Sequence, residues 1–182
     1  LPSGNAMALA LFSALTQRTA APKIERDAFR LAATLSGHAL SDPVEHGFAL
    51  LAIDTLQRGP IGPTRFLAKG VLRVDLVRPE PDRIEVVVRV KEGWHVNAAT
   101  PLEDHLIPTR LDFAGARNHP VDYPAPVVKA LPFNSTELAL YEGRFVISAP
   151  FGPKQRGTAE LTLQACSDTI CLQPETAVFV LH

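Results

Sequence analysis

Apolar residues return along this chain at two different periods. Over residues 1–59 they recur every three or four positions, the spacing of one helical face. Ser3 is placed to cap a helix running to about Thr16, and Pro22 opens a second with Ile24, Ala28, Leu31 and Leu35 on one side. Asp42-Pro43-Val44-Glu45 has the form of a capping box with proline at the first helical position. It predicts a third helix that ends near Gly59 and carries Phe48, Leu51, Ala52 and Leu56 as its stripe. From Phe66 onward the period shortens to two. Leu72, Val74 and Leu76 alternate with Arg73 and Asp75, and Ile84, Val86, Val88 and Val90 alternate with residues such as Glu85 and Arg89. Further strands are predicted around 109–113, 144–149, 158–166 and 176–181, with turns at Pro79-Glu80-Pro81-Asp82 and Phe151-Gly152-Pro153. Six or more short strands with such turns predict a mainly β chain, an immunoglobulin-like antiparallel β-sandwich preceded by a short all-α segment of three helices.

Proline usage draws the same line. Residues 1–59 hold three of the 16 prolines and residues 60–182 the other thirteen. Proline inside an element breaks helices and central strands alike, so the two parts are built differently. Gly59-Pro60-Ile61-Gly62-Pro63 cannot continue a helix, which places a linker at 60–65 between a helical segment, 1–59, and a sandwich domain, 66–182. Three helices of this size bury little surface against their chain entropy. The segment is therefore expected to be the end of a larger helical protein, and its apolar stripes, if left uncovered, would invite dimerisation. Residues 118–134 contain four prolines and read as a long irregular loop of the kind that often carries function.

Composition narrows the function classes. The chain is 46% apolar and 20% charged, as in globular proteins, and no apolar run is long enough for a membrane helix. Lys and Arg total 18 against 19 acidic residues, spread without blocks, so no nucleic-acid footprint is present. No phosphate-binding loop, dinucleotide fingerprint or nucleophile elbow occurs. No cofactor is expected. Zinc is not expected either, because two cysteines stand without a histidine at ligand spacing.

Those cysteines, Cys166 and Cys171, carry the candidate chemistry. Ala159, Leu161, Leu163 and Ala165 share one parity, so Cys166 falls on the opposite face with Glu160, Thr162 and Gln164 and should point away from the core. The four residues between the cysteines fit a hairpin that brings them within disulfide reach. Two readings remain open on these grounds. A bond closing so short a loop stabilises by only about 2 kcal/mol in the chain-entropy model, which makes it a weak staple. An outward, tightly closed bond instead suits exchange with a partner thiolate, for which access to sulfur matters more than loop length.

The wording around the pair resembles a known family. Gln164-Ala165-Cys166-Ser167-Asp168-Thr169-Ile170-Cys171-Leu172-Gln173-Pro174-Glu175-Thr176 is similar to the cysteine motif of the DsbD N-terminal domain family. Gly93-Trp94-His95, Tyr123-Pro124 and Tyr141-Glu142-Gly143 resemble its upstream turn, Tyr-Pro element and strand entry, in the same order. The resemblance covers about 66–182. It implies an immunoglobulin-like domain whose cysteines relay electrons from a thioredoxin-like domain to other thiol proteins outside the cytoplasm, in the bacterial periplasm. It implies Cys166 as the exchanging thiol and Cys171 as its resolving partner. Phe133, in Leu131-Pro132-Phe133-Asn134-Ser135, stands where family members carry a loop phenylalanine that shields the disulfide. This chain departs from the best-known members in having four rather than five residues between the cysteines and in lacking their tyrosine-rich segment.

Residues 1–59 resemble another family. Pro2-Ser3-Gly4-Asn5-Ala6 and the helices after it are similar to the end of thioredoxin-domain-containing proteins related to spermatogenesis-associated protein 20. That implies the last helices of an (α/α) toroid in a parent chain that also holds a thioredoxin-like domain, where a high effective concentration would favour transfer within one polypeptide. Three further sites are read as structural. His95 could lower a cysteine pKa as an imidazolium but is taken as a turn residue beside a packed Trp94. Glu103-Asp104-His105 could serve acid–base chemistry but is taken as a solvated loop, and Asp168 could accept a proton during exchange but is taken as a turn former between the cysteines.

Overall fold

The computed structural model describes residues 1–60, 62–114, 119–130 and 136–181. The chain divides into two compact units, Leu1–Gly62 and Pro63–His182.

The first unit holds helices α1 (Gly4–Thr16), α2 (Pro22–Ser41) and α3 (Gly47–Arg58). Ser3 Oγ accepts the Ala6 N–H at 3.2 Å and caps α1, while Pro22 occupies the first position of α2. The third helix starts later than its capping box predicts. Asp42 Oδ1 accepts the Glu45 N–H at 3.1 Å, but the box closes a turn through residues 43–46 before α3 begins at Gly47. The stripe shifts as well: Ala49 and Ala52 are buried with Leu50, Ile53 and Leu56 packed beside them, while Phe48 and Leu51 face outward. Ser13 Oγ donates to Leu9 O at 2.8 Å and to Ala52 O at 3.1 Å, pinning α1 to α3 from inside the bundle.

The second unit is an immunoglobulin-like β-sandwich of short antiparallel strands. Strands β1 (Thr64–Leu67), β2 (Leu72–Glu80), β3 (Arg83–Val90) and β8 (Arg144–Pro150) form one sheet in the order β1-β2-β3-β8. Strands β4 (Trp94–Asn97), β6 (Val127–Ala130), β7 (Glu137–Glu142) and β10 (Ala165–Ser167) form a second, β10-β4-β7-β6. Strands β5 (Arg110–Phe113), β9 (Gly157–Leu163) and β11 (Glu175–Leu181) form a third, β11-β9-β5. All three sheets contribute to one core, with Val74, Val86 and Ile147 from the first, Val96 and Tyr141 from the second, Leu161 and Phe179 from the third. Gly143, at φ +59°, takes the left-handed turn by which β7 of the second sheet hands the chain to β8 of the first. Tyr141-Glu142-Gly143 therefore closes β7 and leads into β8, the strand expected at 144–149.

Four strands appear where the sequence pattern shows none: β1 begins inside the expected 60–65 linker, β4 lies in the segment read as a turn, and β6 and β7 lie beyond it. Part of the proline-rich stretch pairs as β6, with Val127 opposite Leu140 and Ala130 opposite Glu137. Strand β7 carries the run Leu138, Ala139, Leu140, Tyr141, buried at every position, which conceals its alternation.

Candidate functional site

Cys166 and Cys171 sit on the two arms of a short hairpin and are joined as a disulfide. The Ser167 N–H donates to Ile170 O at 2.8 Å and the Leu172 N–H to Ala165 O at 2.9 Å. These bonds flank the cysteines on both sides. The cysteines are thus a directly opposed, non-hydrogen-bonded pair, the position where antiparallel side chains approach most closely, and their Cα atoms are 4.0 Å apart. The turn itself is held by Ser167, whose Oγ accepts the N–H groups of Thr169 and Ile170 at 3.3 Å each. The turn-forming role expected of Asp168 thus falls to its neighbour, and the Asp168 side chain is exposed.

Gln164 interrupts pairing between β9 and β10 without shifting the alternation; its Nε2 donates to Leu172 O at 2.9 Å. Ala165 stays with Val96 and Tyr141 on the core face, and Cys166 falls on the other face, as its parity predicts. Facing away from the core does not leave Cys166 open. It is 3% exposed, whereas Cys171 is exposed.

The covering comes from a loop laid over the outer face of the second sheet. The Asn97 side chain donates from Nδ2 to Ile107 O at 3.0 Å, and Thr109 Oγ1 donates to Asn97 O at 2.6 Å, so the chain after β4 is tied back onto it. Leu106 packs against Leu138 and Leu140 of β7. Between this loop and the hairpin lies a cleft of ≈ 540 Å³, bordered by both cysteines, with His95 and Asn97 of β4 also among its lining. Glu103 and His105 line it as well, with Glu103 Oε2 at 3.3 Å from His105 Nδ1. The segment read as a solvated loop is therefore part of the site.

His95 is not a turn residue. The turn is at Gly93, φ +78°, and His95 is the second residue of β4, directly opposite Cys166 on one side and Glu142 of β7 on the other. The residue is 4% exposed. Burial lowers its pKa below the ordinary imidazole value, Glu142 and Asp168 pull it up, and Lys129 pushes it down. Glu142 Oε1 is itself paired to Lys129 Nζ at 2.6 Å. Trp94, as expected, packs against the sandwich core.

The structure thus brings Cys166, Cys171, His95 and the 103–107 loop together. Phe133 lies outside the described residues. Asn97, Leu106, Ile107 and Leu138 carry no sequence signal of their own, although the alternation Trp94-His95-Val96-Asn97 does put His95 and Asn97 on one face. Tyr123 serves the fold: its Oη accepts the Leu111 N–H at 2.9 Å, and burial raises its pKa. No helix is long and apolar enough to cross a membrane, and no group of three or more potential metal ligands occurs among the described residues.

A family model described as "Thiol:disulfide interchange protein DsbD, N-terminal" matches residues 64–182. Among solved structures, the reduced N-terminal domain of DsbD from Neisseria meningitidis is 16% identical at a TM-score of 0.43, covering 59% of this chain and 82% of that one. The complex between the N-terminal domains of DsbD and PilB from the same organism gives 15% identity and a TM-score of 0.46, with 63% and 84% covered. The N-terminal periplasmic domain of ScsB from Proteus mirabilis gives 15% and 0.43, with 60% of this chain and 44% of that one covered. No curated protein matches the chain.

Proposed function

The chain belongs to the DsbD N-terminal thiol:disulfide interchange family, and from that premise we propose that its sandwich unit relays electrons between a thioredoxin-like domain and other thiol proteins through Cys166 and Cys171. The observation that carries this reading is the asymmetry of the pair: both cysteines border the cleft, but Cys171 is an exposed residue and Cys166 a buried one. Access decides which sulfur an incoming thiolate attacks. The assignment is therefore the reverse of the one the family resemblance implied, with Cys171 as the exchanging sulfur and Cys166 as the resolving one.

A partner thiolate attacks Cys171 Sγ, the Cys166–Cys171 bond breaks, and Cys166 leaves with the electron pair. A second partner thiol then displaces Cys171, so the partner ends as a disulfide and the domain as a dithiol. In the outgoing direction the Cys171 thiolate attacks the disulfide of another protein, and Cys166 resolves the mixed disulfide. The compartment proposed is extracytoplasmic, where such a bond can persist between turnovers. Phe133 is proposed as the cap over the bond, on its position in the chain between β6 and β7. The helical unit is proposed as the last helices of an (α/α) toroid on the resemblance of its sequence, with the thioredoxin-like donor in the same parent chain.

Equilibration in graded dithiol buffers, read by thiol trapping and mass spectrometry, tests the reading. A potential above about −300 mV, with Cys166→Ala trapping a partner through Cys171, is the expected result. A bond that resists reduction until the sandwich unfolds, with no adduct from either single-cysteine variant, would make the pair a structural staple in a binding module.

A further inference from the structure

On the outer face of the second sheet the resolving cysteine stands in a transverse row with two side chains that take no part in the exchange steps above. Cys166 of β10, His95 of β4 and Glu142 of β7 are register partners in sequence, each directly opposite the next. Opposed residues on one face of an antiparallel pair have Cβ atoms about 4.5–5.5 Å apart, so the imidazole is a cross-strand neighbour of the buried sulfur. Both also border the same cleft.

Resolution by Cys166 poses a proton problem. As a thiol, Cys166 must ionise before it can attack, and at 3% exposure water is poorly placed to take the proton. We propose that His95 is the proton acceptor for Cys166 when it resolves the mixed disulfide, and the donor that returns the proton when Cys166 is released on reduction. This rests on the exchange reading above. In the resolving step the Cys166 S–H proton passes to the imidazole, and Cys166 Sγ attacks Cys171 Sγ. The bond between Cys171 and the partner breaks, and the partner thiolate leaves with the electron pair. The partner disulfide has then been reduced by two electrons and the cysteine pair oxidised. The imidazolium loses its proton to solvent through the cleft.

The surroundings suit that role. Burial favours the neutral ring, which is the form that accepts a proton. The charges that face it are Glu142 from β7, Lys129 from β6, bound to Glu142, and Asp168 from the hairpin turn, with Glu103 and His105 on the loop across the cleft. Glu142 and Asp168 stabilise the imidazolium once it forms, and Lys129 limits that effect.

The test uses the reduced 182-residue chain and an aromatic disulfide that releases a coloured thiolate, dithiobis(nitrobenzoate). Attack by Cys171 releases the first thiolate and resolution by Cys166 the second, so the two steps are read separately. In His95→Gln the second release is expected to slow about 100-fold near neutral pH while the first is unchanged within about twofold. The wild-type second phase should rise with a titration below the ordinary imidazole value, and that limb should be missing from the variant. An unchanged second phase and pH profile would overturn the proposal. Absence of both phases from the wild-type chain would instead defeat the exchange reading itself. Should His95→Gln not fold, the titration of the His95 ring by NMR decides. It is expected to differ between the disulfide form and a form alkylated at Cys171, and the same curve in both would refute the coupling.

Discussion

The two units of this chain solve burial in opposite ways. The helical unit packs on small side chains, burying Ala6, Ala28, Ala32, Ala39, Ala49 and Ala52 along with Leu9, and it leaves Phe29, Leu40, Phe48 and Leu51 exposed. The sandwich does the reverse: Phe179, Leu161, Ile147 and Leu140 are almost fully enclosed, and its exposed apolar residues, among them Val178 and Val180 of β11, are the ones left at the surface. Alanine contributes little transfer free energy, because it has little area to remove from water. The large side chains that could have stabilised the helical unit are therefore not the ones it buries, and the sandwich is the part built to hold a site rigidly.

Four measurements break or sharpen this contrast, and the two units can be followed independently. Trp94, the single tryptophan, reports on the sandwich by fluorescence, while ellipticity at helical wavelengths follows α1 to α3. Phe179→Ala should destabilise the sandwich by about 3–5 kcal/mol in denaturant titration, because it empties a fully packed position. The helical signal should not move with it. Replacing Cys166 and Cys171 together by alanine should cost the sandwich about 2 kcal/mol, the small value expected for so short a loop. A much larger loss would mean that the bond organises the cleft as well as closing the hairpin. Ser13→Ala should lower the stability of the helical unit by about 1 kcal/mol, since Ser13 Oγ joins Leu9 O to Ala52 O across two helices. Phe48→Ser should change neither signal by more than about 0.5 kcal/mol, as an exposed side chain away from any cap or core. A clear loss from that last variant would show that Phe48 is covered in solution.

How far the fold could be read in advance depended on how local each signal was. Ser3, Pro22 and the alternation of β2 and β3 act within a few residues, and each marks an element that forms. The capping box at Asp42 was also local, yet it only closes a turn, because the helix that follows is set by the face Ala49 and Ala52 present to the bundle. Strand β6 carries no local signal, because its residues are mostly exposed and prolines precede it, so pairing with β7 is what makes it a strand. Part of the site was legible in the same way. The cysteine spacing and parity pointed to a hairpin disulfide facing away from the core. The loop across the cleft was not, because Ile107 is held by Asn97 and Leu106 by Leu138 and Leu140, residues far from it in sequence.

The sequence by itself determined the two periodicities, the change of architecture near Pro60, the helix starts at Ser3 and Pro22, and a cysteine spacing within disulfide reach. All of these are set by neighbours a few bonds away along the chain. Only the tertiary structure decided that Cys166 is buried while Cys171 is open, and that His95 stands opposite Cys166 with Glu142 behind it. These depend on the register between strands far apart in sequence. A slip of one residue would turn His95 to the core and Val96 to the cysteine, so the position of that side chain is a property of the whole sheet.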